Sequence, residues 1–264
     1  MAFFEVSLYS DALSMETEIA AYLPEAVWDK PGIPVDGSRV RVPTVYLLHG
    51  MFGNHRDWYL NSSVVRVAEE LGIALILPQT HLGWYADMAR GEKFFTYVAW
   101  ELPRLCRRFF PALSPEREQT FAAGLSMGGY GAFHLALCAP ETFAGAASLS
   151  GGLDVKQMVE TPNDHGDPQY WEDIFGRAEQ VDHSHNDLFA AARELRDSPL
   201  RPRLYQWCGT EDFLYEQNTR MRDHLRALGY DCEYRESPGD HQWKYWDREI
   251  GPAIRWLFKR EEEA

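Results

Sequence analysis

The chain has 264 residues, of which 45% are hydrophobic and 14% aromatic; that apolar content supports a substantial core and excludes global disorder. Lys and Arg number 26 against 40 Asp and Glu, a net charge of −14. Such a surface repels phosphate backbones and anionic lipid, so neither a nucleic acid nor a membrane is an expected partner.

Single α/β domains often reach ~250 residues, and no composition shift marks a boundary, so one domain over residues 1–264 is expected. The N-terminus, Met1-Ala2-Phe3-Phe4-Glu5, has no basic head and no long apolar run, unlike a secretory signal. No stretch approaches the ~20 apolar residues of a bilayer span. Cys106, Cys138, Cys208 and Cys232 lie far apart, without zinc-knuckle or redox spacing. Buried free thiols in a cytoplasmic protein are the expectation.

In chain order, Phe4, Val6 and Leu8 alternate, as do Ile19, Ala21 and Leu23, which predicts two half-buried antiparallel strands. Pro31-Gly32-Ile33-Pro34 turns the chain. Short apolar runs follow at Val42–Leu48, Ile73–Leu77, Thr120–Ala123, Gly145–Leu149, Arg203–Cys208 and Cys232–Glu236. Such runs predict parallel strands covered on both faces. Helical periodicity lies between them, at Ser62–Leu71, Phe94–Phe110, Gly129–Cys138, Leu188–Leu195, Glu216–Leu228 and Trp243–Lys259. Glu101 to Arg108 is read as a helix with a solvated, charged face. The acidic tail Glu261–Glu263 is read as a frayed end. Strands alternating with helices predict a mostly parallel sheet with right-handed crossovers and helices on both faces. Residues 151–187, rich in Pro, Asp, His and Gly, break the rhythm and are expected as an irregular insertion over one end of the sheet.

Gly124-Leu125-Ser126-Met127-Gly128 sits between a strand and a helix start. A serine on that sharp turn is strained, and residues two before and two after it come close, so both are glycine. Ser126 is the candidate nucleophile. Its base should follow it in the chain, after an acid. His49, His55 and His81 precede it. His134 sits on the packed helix behind it. His165, His183 and His185 lie in the insertion, and His224, among Arg220, Arg222 and Arg226, reads as solvated surface. His241 remains, in a Pro/Gly loop after the last strand, where such sheets place their chemistry. Asp212 is the preferred acid, Glu211 its alternative, and Asp240 ranks below both. Backbone N–H groups of Met127 and of Met51, or else Phe52, would bind the oxyanion. Phe52, Trp58, Trp84, Trp207 and Trp243 are aromatics near the predicted loops; Phe52, Trp84 and Trp243 are the candidate pocket residues, and Trp207 reads as core. His183, His185 and Asp187 have a ligand-like spacing but no third partner placed by sequence, so no metal is assigned.

The segments His49-Gly50-Met51-Phe52-Gly53-Asn54, Gly83-Trp84-Tyr85-Ala86-Asp87, Gly124 to Gly131, Cys208 to Tyr215 and Gly239 to Trp243 resemble the esterase D family of α/β-hydrolases, and within it the tributyrin esterases. The resemblance runs from the first strand to the last helix. It implies an α/β-hydrolase fold and a serine carboxylesterase acting on short acyl esters without metal or organic cofactor. It implies Ser126 as nucleophile, His241 as base and Asp212 as acid, and is compatible with a homo-oligomer. S-formylglutathione hydrolases of this family usually carry a cysteine shortly after the glycine of the oxyanion loop. Met51 to Arg56 has none, which argues against the thioesterase branch. A mycolyltransferase-type acyltransferase is the other alternative.

Overall fold

The computed structural model describes residues 1–28, 30–34, 36, 38, 40–161 and 167–258. His165, Lys259 and the Glu261–Glu263 tail lie outside the described residues.

Among the described residues, eight strands join one sheet in the order β1-β2-β4-β3-β5-β6-β7-β8. Strands β1 (Ala2–Ser10) and β2 (Met15–Leu23) form an antiparallel hairpin, and β2 continues antiparallel onto β4 (Ala74–Pro78). The remaining pairs, through β3 (Thr44–Leu48), β5 (Thr120–Leu125), β6 (Gly145–Leu149), β7 (Arg203–Gly209) and β8 (Cys232–Ser237), are parallel. Every residue of β3, β4, β5 and β6 is buried, as apolar runs between two helical layers require. The two-residue period divides their side chains. Tyr46 and Leu48 face one core, whereas Val45 and Leu47 face the other. Helices α2 (Val64–Leu71) and α11 (Trp243–Phe258) cover the second face through Val67, Ile250 and Ile254. Helices α4 (Leu102–Phe109), α5 (Met127–Cys138), α9 (Leu188–Leu195) and α10 (Tyr215–Ala227) cover the first.

Several expectations need correction. Val42 leaves its strand and bridges Leu113 instead. Strand β8 is an edge rather than a doubly covered strand, because polar Glu233 and Arg235, ion-paired at 2.9 Å, alternate along it. The helix expected over Ser62–Leu71 is preceded by a separate α1 (Asp57–Asn61). The break falls where the Asp247 carboxylate accepts from both the N–H (2.6 Å) and the hydroxyl (2.8 Å) of Ser63. Phe94–Phe110 starts as a short α3 (Phe94–Thr96) and widens into a π turn over Tyr97–Glu101 before α4. Glu101 is buried rather than solvated. It accepts from the Ser10 hydroxyl at 2.5 Å and the Asp11 N–H at 2.7 Å, which clamps the β1–β2 turn. The insertion is helical rather than irregular, with α6 (Val155–Glu160), α7 (Pro168–Phe175) and α8 (Ala178–Val181). Asp154 and Asp167 cap the first two by accepting backbone N–H groups. His224 is half-buried and tied to Phe189 O at 2.9 Å.

Candidate active site

Ser126 occupies the turn between β5 and α5 with φ 53° and ψ −119°, a conformation that a non-glycine residue holds only when its surroundings over-determine it. The crowding is specific. A Cβ at Gly124 would overlap the Gly128 carbonyl, and one at Gly128 would overlap the Leu48 carbonyl. The Ser126 N–H donates to Leu149 O at 2.9 Å, which ties the turn to β6.

His241 lies in the loop between β8 and α11. Its Nε2 is 3.0 Å from Ser126 Oγ, and its Nδ1 is 2.8 Å from Asp212 Oδ2. A carboxylate only accepts, so Nδ1 carries the proton and Nε2 is free to accept from the serine. Asp212 is 4% exposed, and its other oxygen accepts from the Leu214 N–H at 2.9 Å. The imidazole rests between Phe213 at 4.7 Å and Trp246 at 4.8 Å. Glu211 points away from His241: its carboxylate accepts from the Gly239 N–H, and its own N–H donates to Gly239 O at 3.0 Å. Asp240 accepts from the Gln242 amide at 2.5 Å. Of the three acids weighed, the geometry brings Asp212 alone to the imidazole.

The loop after β3 lies against the serine: a Cβ at Gly50 would be 3.7 Å from Ser126 Cβ. Gly53 N–H donates to Gly50 O at 3.1 Å, and Phe52 at φ 66° occupies the third position of this turn, where glycine or asparagine is usual. Among the described residues, the Met51 and Met127 N–H groups have no hydrogen-bond partner. Met127 opens α5, where N–H groups lack intrahelical acceptors. His49 braces this loop, a role that sequence reasoning missed. Its Nδ1 donates to Gly50 O at 2.8 Å, its Nε2 accepts from the Thr80 N–H at 3.3 Å, and its carbonyl accepts from the Tyr85 hydroxyl at 3.0 Å. Burial lowers its pKa to about 4, so the ring stays neutral.

Two cavities meet at Ser126. The wider, about 280 Å³, is lined by Phe52, Asp57, Phe213, His241 and Trp243. The narrower, about 60 Å³, is lined by Met51, Trp84, Met158, Trp171 and Leu214. Phe52 and Trp243 therefore sit on one side of the serine, and Trp84 on the other. Trp58 does not line either space; it is buried, with its N–H donating to Leu48 O at 2.8 Å. Trp207 is core, as expected. Met158, Trp171 and Phe213 are wall residues that the sequence reading did not pick. The cluster Tyr170-Trp171 was the available signal, since large aromatics in a polar insertion need something to bury against.

The chain matches the family described as "Putative esterase" over residues 10–257. The chain belongs to that family. This esterase is 32% identical to an acetyl esterase of Caldicellulosiruptor saccharolyticus, over 98% of this chain and 99% of the relative. Among solved structures it is similar to FphF, a fluorophosphonate-binding serine hydrolase of Staphylococcus aureus solved with substrate bound. That likeness has a TM-score of 0.87 and 28% identity, and covers 98% of this chain and 99% of the other. The S-formylglutathione hydrolase FrmB of the same organism gives a TM-score of 0.84 and 29% identity, covering 98% and 99%. The esterase is a serine carboxylesterase with the α/β-hydrolase fold, as the resemblance in its sequence implies. None of its helices, among the described residues, is long and apolar enough to cross a membrane.

Proposed function

We propose that this esterase hydrolyses short-chain acyl esters, acetyl above all, through an acyl-enzyme on Ser126. The carrying observation is the inequality of the two cavities at the serine: about 60 Å³ behind Trp84, Met158 and Trp171, against about 280 Å³ on the Trp243 side. The smaller space suits a small acyl group, and the larger one an alcohol of varied shape. The helices of residues 151–187 act as a cap, since Met158 of α6 and Trp171 of α7 close the acyl side.

In this reading Ser126 Oγ attacks the ester carbonyl carbon while His241 Nε2 takes its proton. Asp212 holds the tautomer and stabilises the imidazolium. The oxyanion is received by the N–H groups of Met127 and Met51, with the α5 N-terminus favouring the negative charge. The alcohol leaves with the proton from Nε2. Water then attacks the acyl-enzyme by the same route, releasing acid and restoring the serine. No step requires a metal or organic cofactor.

The test is hydrolysis of p-nitrophenyl esters from acetate to octanoate, beside Ser126→Ala. A kcat/KM that peaks at acetate or propionate and disappears in the variant is expected. Equal rates in the two proteins would overturn the nucleophile, and a peak at octanoate would overturn the acyl assignment.

A thioester reading draws on the likeness to the S-formylglutathione hydrolase of S. aureus, because a formyl group also fits the smaller cavity. A kcat/KM for S-formylglutathione well above that for acetyl esters would favour it.

A further inference from the structure

A second cluster of nucleophilic side chains lies on the far side of α5, away from the triad. Tyr130, His134 and Cys138 follow one another at four-residue spacing and so share a face of the helix. Each meets the strap that links α8 to α9. Tyr130 Oη donates to Asn186 O at 3.2 Å, His134 Nε2 lies 2.9 Å from His185 Nδ1, and Cys138 Sγ lies 3.4 Å from His185 O. The ligand atoms of His134, Cys138 and His185 all fall within 4.8 Å of one another. The sequence pattern singled out His183 with His185, but His183 is turned to solvent, and the partner of His185 comes from α5.

We propose that His134 Nε2, His185 Nδ1 and Cys138 Sγ form a binding site for a borderline-soft divalent cation of the Zn²⁺ class. Tetrahedral zinc with bonds of about 2.0–2.1 Å to nitrogen and 2.3 Å to sulfur needs nitrogens roughly 3.3 Å apart and sulfur roughly 3.6 Å from each. The two nitrogens, 2.9 Å apart, would have to separate by a few tenths of an ångström, and the sulfur, within 4.8 Å of both, would have to close on them. The outer contacts are those of a metal-binding imidazole. His134 Nδ1 donates to Tyr85 O at 3.2 Å, which leaves the Nε2 lone pair facing the cluster. The Phe95 ring fixes both imidazoles, at 4.4 Å from His134 and 4.3 Å from His185. Entry is open, because a cavity of about 350 Å³ is lined by Cys138, His185 and Glu194. Water from this cavity would supply the fourth ligand.

Binding has a definite proton balance. The Cys138 thiol gives its proton to solvent as the sulfur–metal bond forms. The His185 proton moves from Nδ1 to Nε2, with no net loss. One proton is released per metal, so affinity rises tenfold per pH unit while the other groups stay neutral. The bound ion would pin the strap before α9 onto the helix that begins at Ser126.

The experiment loads untagged enzyme with Co²⁺ and, separately, Zn²⁺, for wild type, Cys138→Ser and His185→Ala. The expected wild-type result is one equivalent of Co²⁺ with a thiolate-to-cobalt charge-transfer band, affinity rising about tenfold per pH unit, and a higher Tm with Zn²⁺. Cys138→Ser loses the band, both variants lose the Tm shift, and both keep ester hydrolysis in the absence of metal. A wild-type spectrum without the thiolate band overturns the proposal, even if a variant fails to fold. So does equal metal uptake by all three proteins, which would place the ion on other histidines.

Discussion

Glu211 and Gly239 exchange two hydrogen bonds: the Glu211 N–H donates to Gly239 O at 3.0 Å, and the Glu211 carboxylate accepts from the Gly239 N–H. The loop that carries Asp212 is thereby stapled to the loop that carries His241. The Thr210 N–H adds a third bond to Ser237 O at 3.0 Å. A Cβ at Gly209 would overlap the Gly239 carbonyl, so the two backbones can approach only because residue 209 is glycine.

Glu211→Ala should therefore act on position rather than on chemistry. Loss of a partly exposed charge-assisted bond costs about 1 kcal/mol of stability. The loosened His241 loop should lower kcat roughly tenfold with little change in KM, since small misplacements at a reacting centre are costly. Glu211→Gln retains an acceptor for the Gly239 N–H and should recover most of the loss. Steady-state kinetics and urea melts of both variants check this.

Asp212→Asn separates the two acids that the sequence left open. An amide at 212 offers either a donor or an acceptor to Nδ1 and can no longer stabilise the imidazolium. A fall in kcat of roughly 10³–10⁴-fold is expected, with the fold intact. If Glu211→Ala proved the more damaging of the two, the acid would be Glu211.

The difference between Glu211 and Asp212 marks the limit of what the sequence reveals. Ser126 was legible because its neighbours are sterically forced: only glycine fits at 124 and 128, and those positions can be read off the chain. His241 followed from its place after the last strand. The buried strands were legible because their runs are apolar, as in Val45 to Leu48. Misreadings arose where a tertiary partner changed a residue's role. Glu101 looks solvated until the Ser10 hydroxyl and Asp11 N–H meet it. His185 pairs with His134, a residue 51 positions away, rather than with its neighbour His183. The insertion was read as irregular because helices of four to eight residues carry too few turns for a periodic signal.

Stability should fall on mild acidification, for a reason located in His49. In the unfolded chain this imidazole takes a proton near its ordinary 6.5, whereas the folded protein resists protonation until about 4. Between those values the unfolded state binds more protons, so stability is complete above pH 6.5 and declines as pH falls toward 4. The loss assigned to His49 is about 3 kcal/mol. Buried His134, also lowered, adds to it in the same direction. Urea unfolding at intervals from pH 7.5 to 4.5 should show this decline, and His49→Gln should flatten it. An identical slope in the variant would remove His49 as the cause.

Met158 is the wall of the smaller cavity with the most freedom to change without disturbing the triad. It lies half-buried on α6, and its Sδ–Cε end reaches over Gly152, where an added Cβ would come within 2.6 Å of Cε. Trp84 and Trp171, by contrast, are held by ring contacts at 5.1 Å and by the Trp84 N–H bond to Tyr170 Oη at 3.0 Å. Met158→Ala should enlarge the acyl side by several methylene volumes and leave those tryptophans in place. Each additional methylene of acyl chain buried there is worth about 0.8 kcal/mol, close to fourfold in kcat/KM. The chain-length profile should then move from acetate toward butyrate and hexanoate, while the acetate rate changes little. Comparing p-nitrophenyl esters at equal alcohol isolates the acyl side. If Met158→Ala instead altered preference for the alcohol and left the acyl profile fixed, the two cavities would have to exchange their roles.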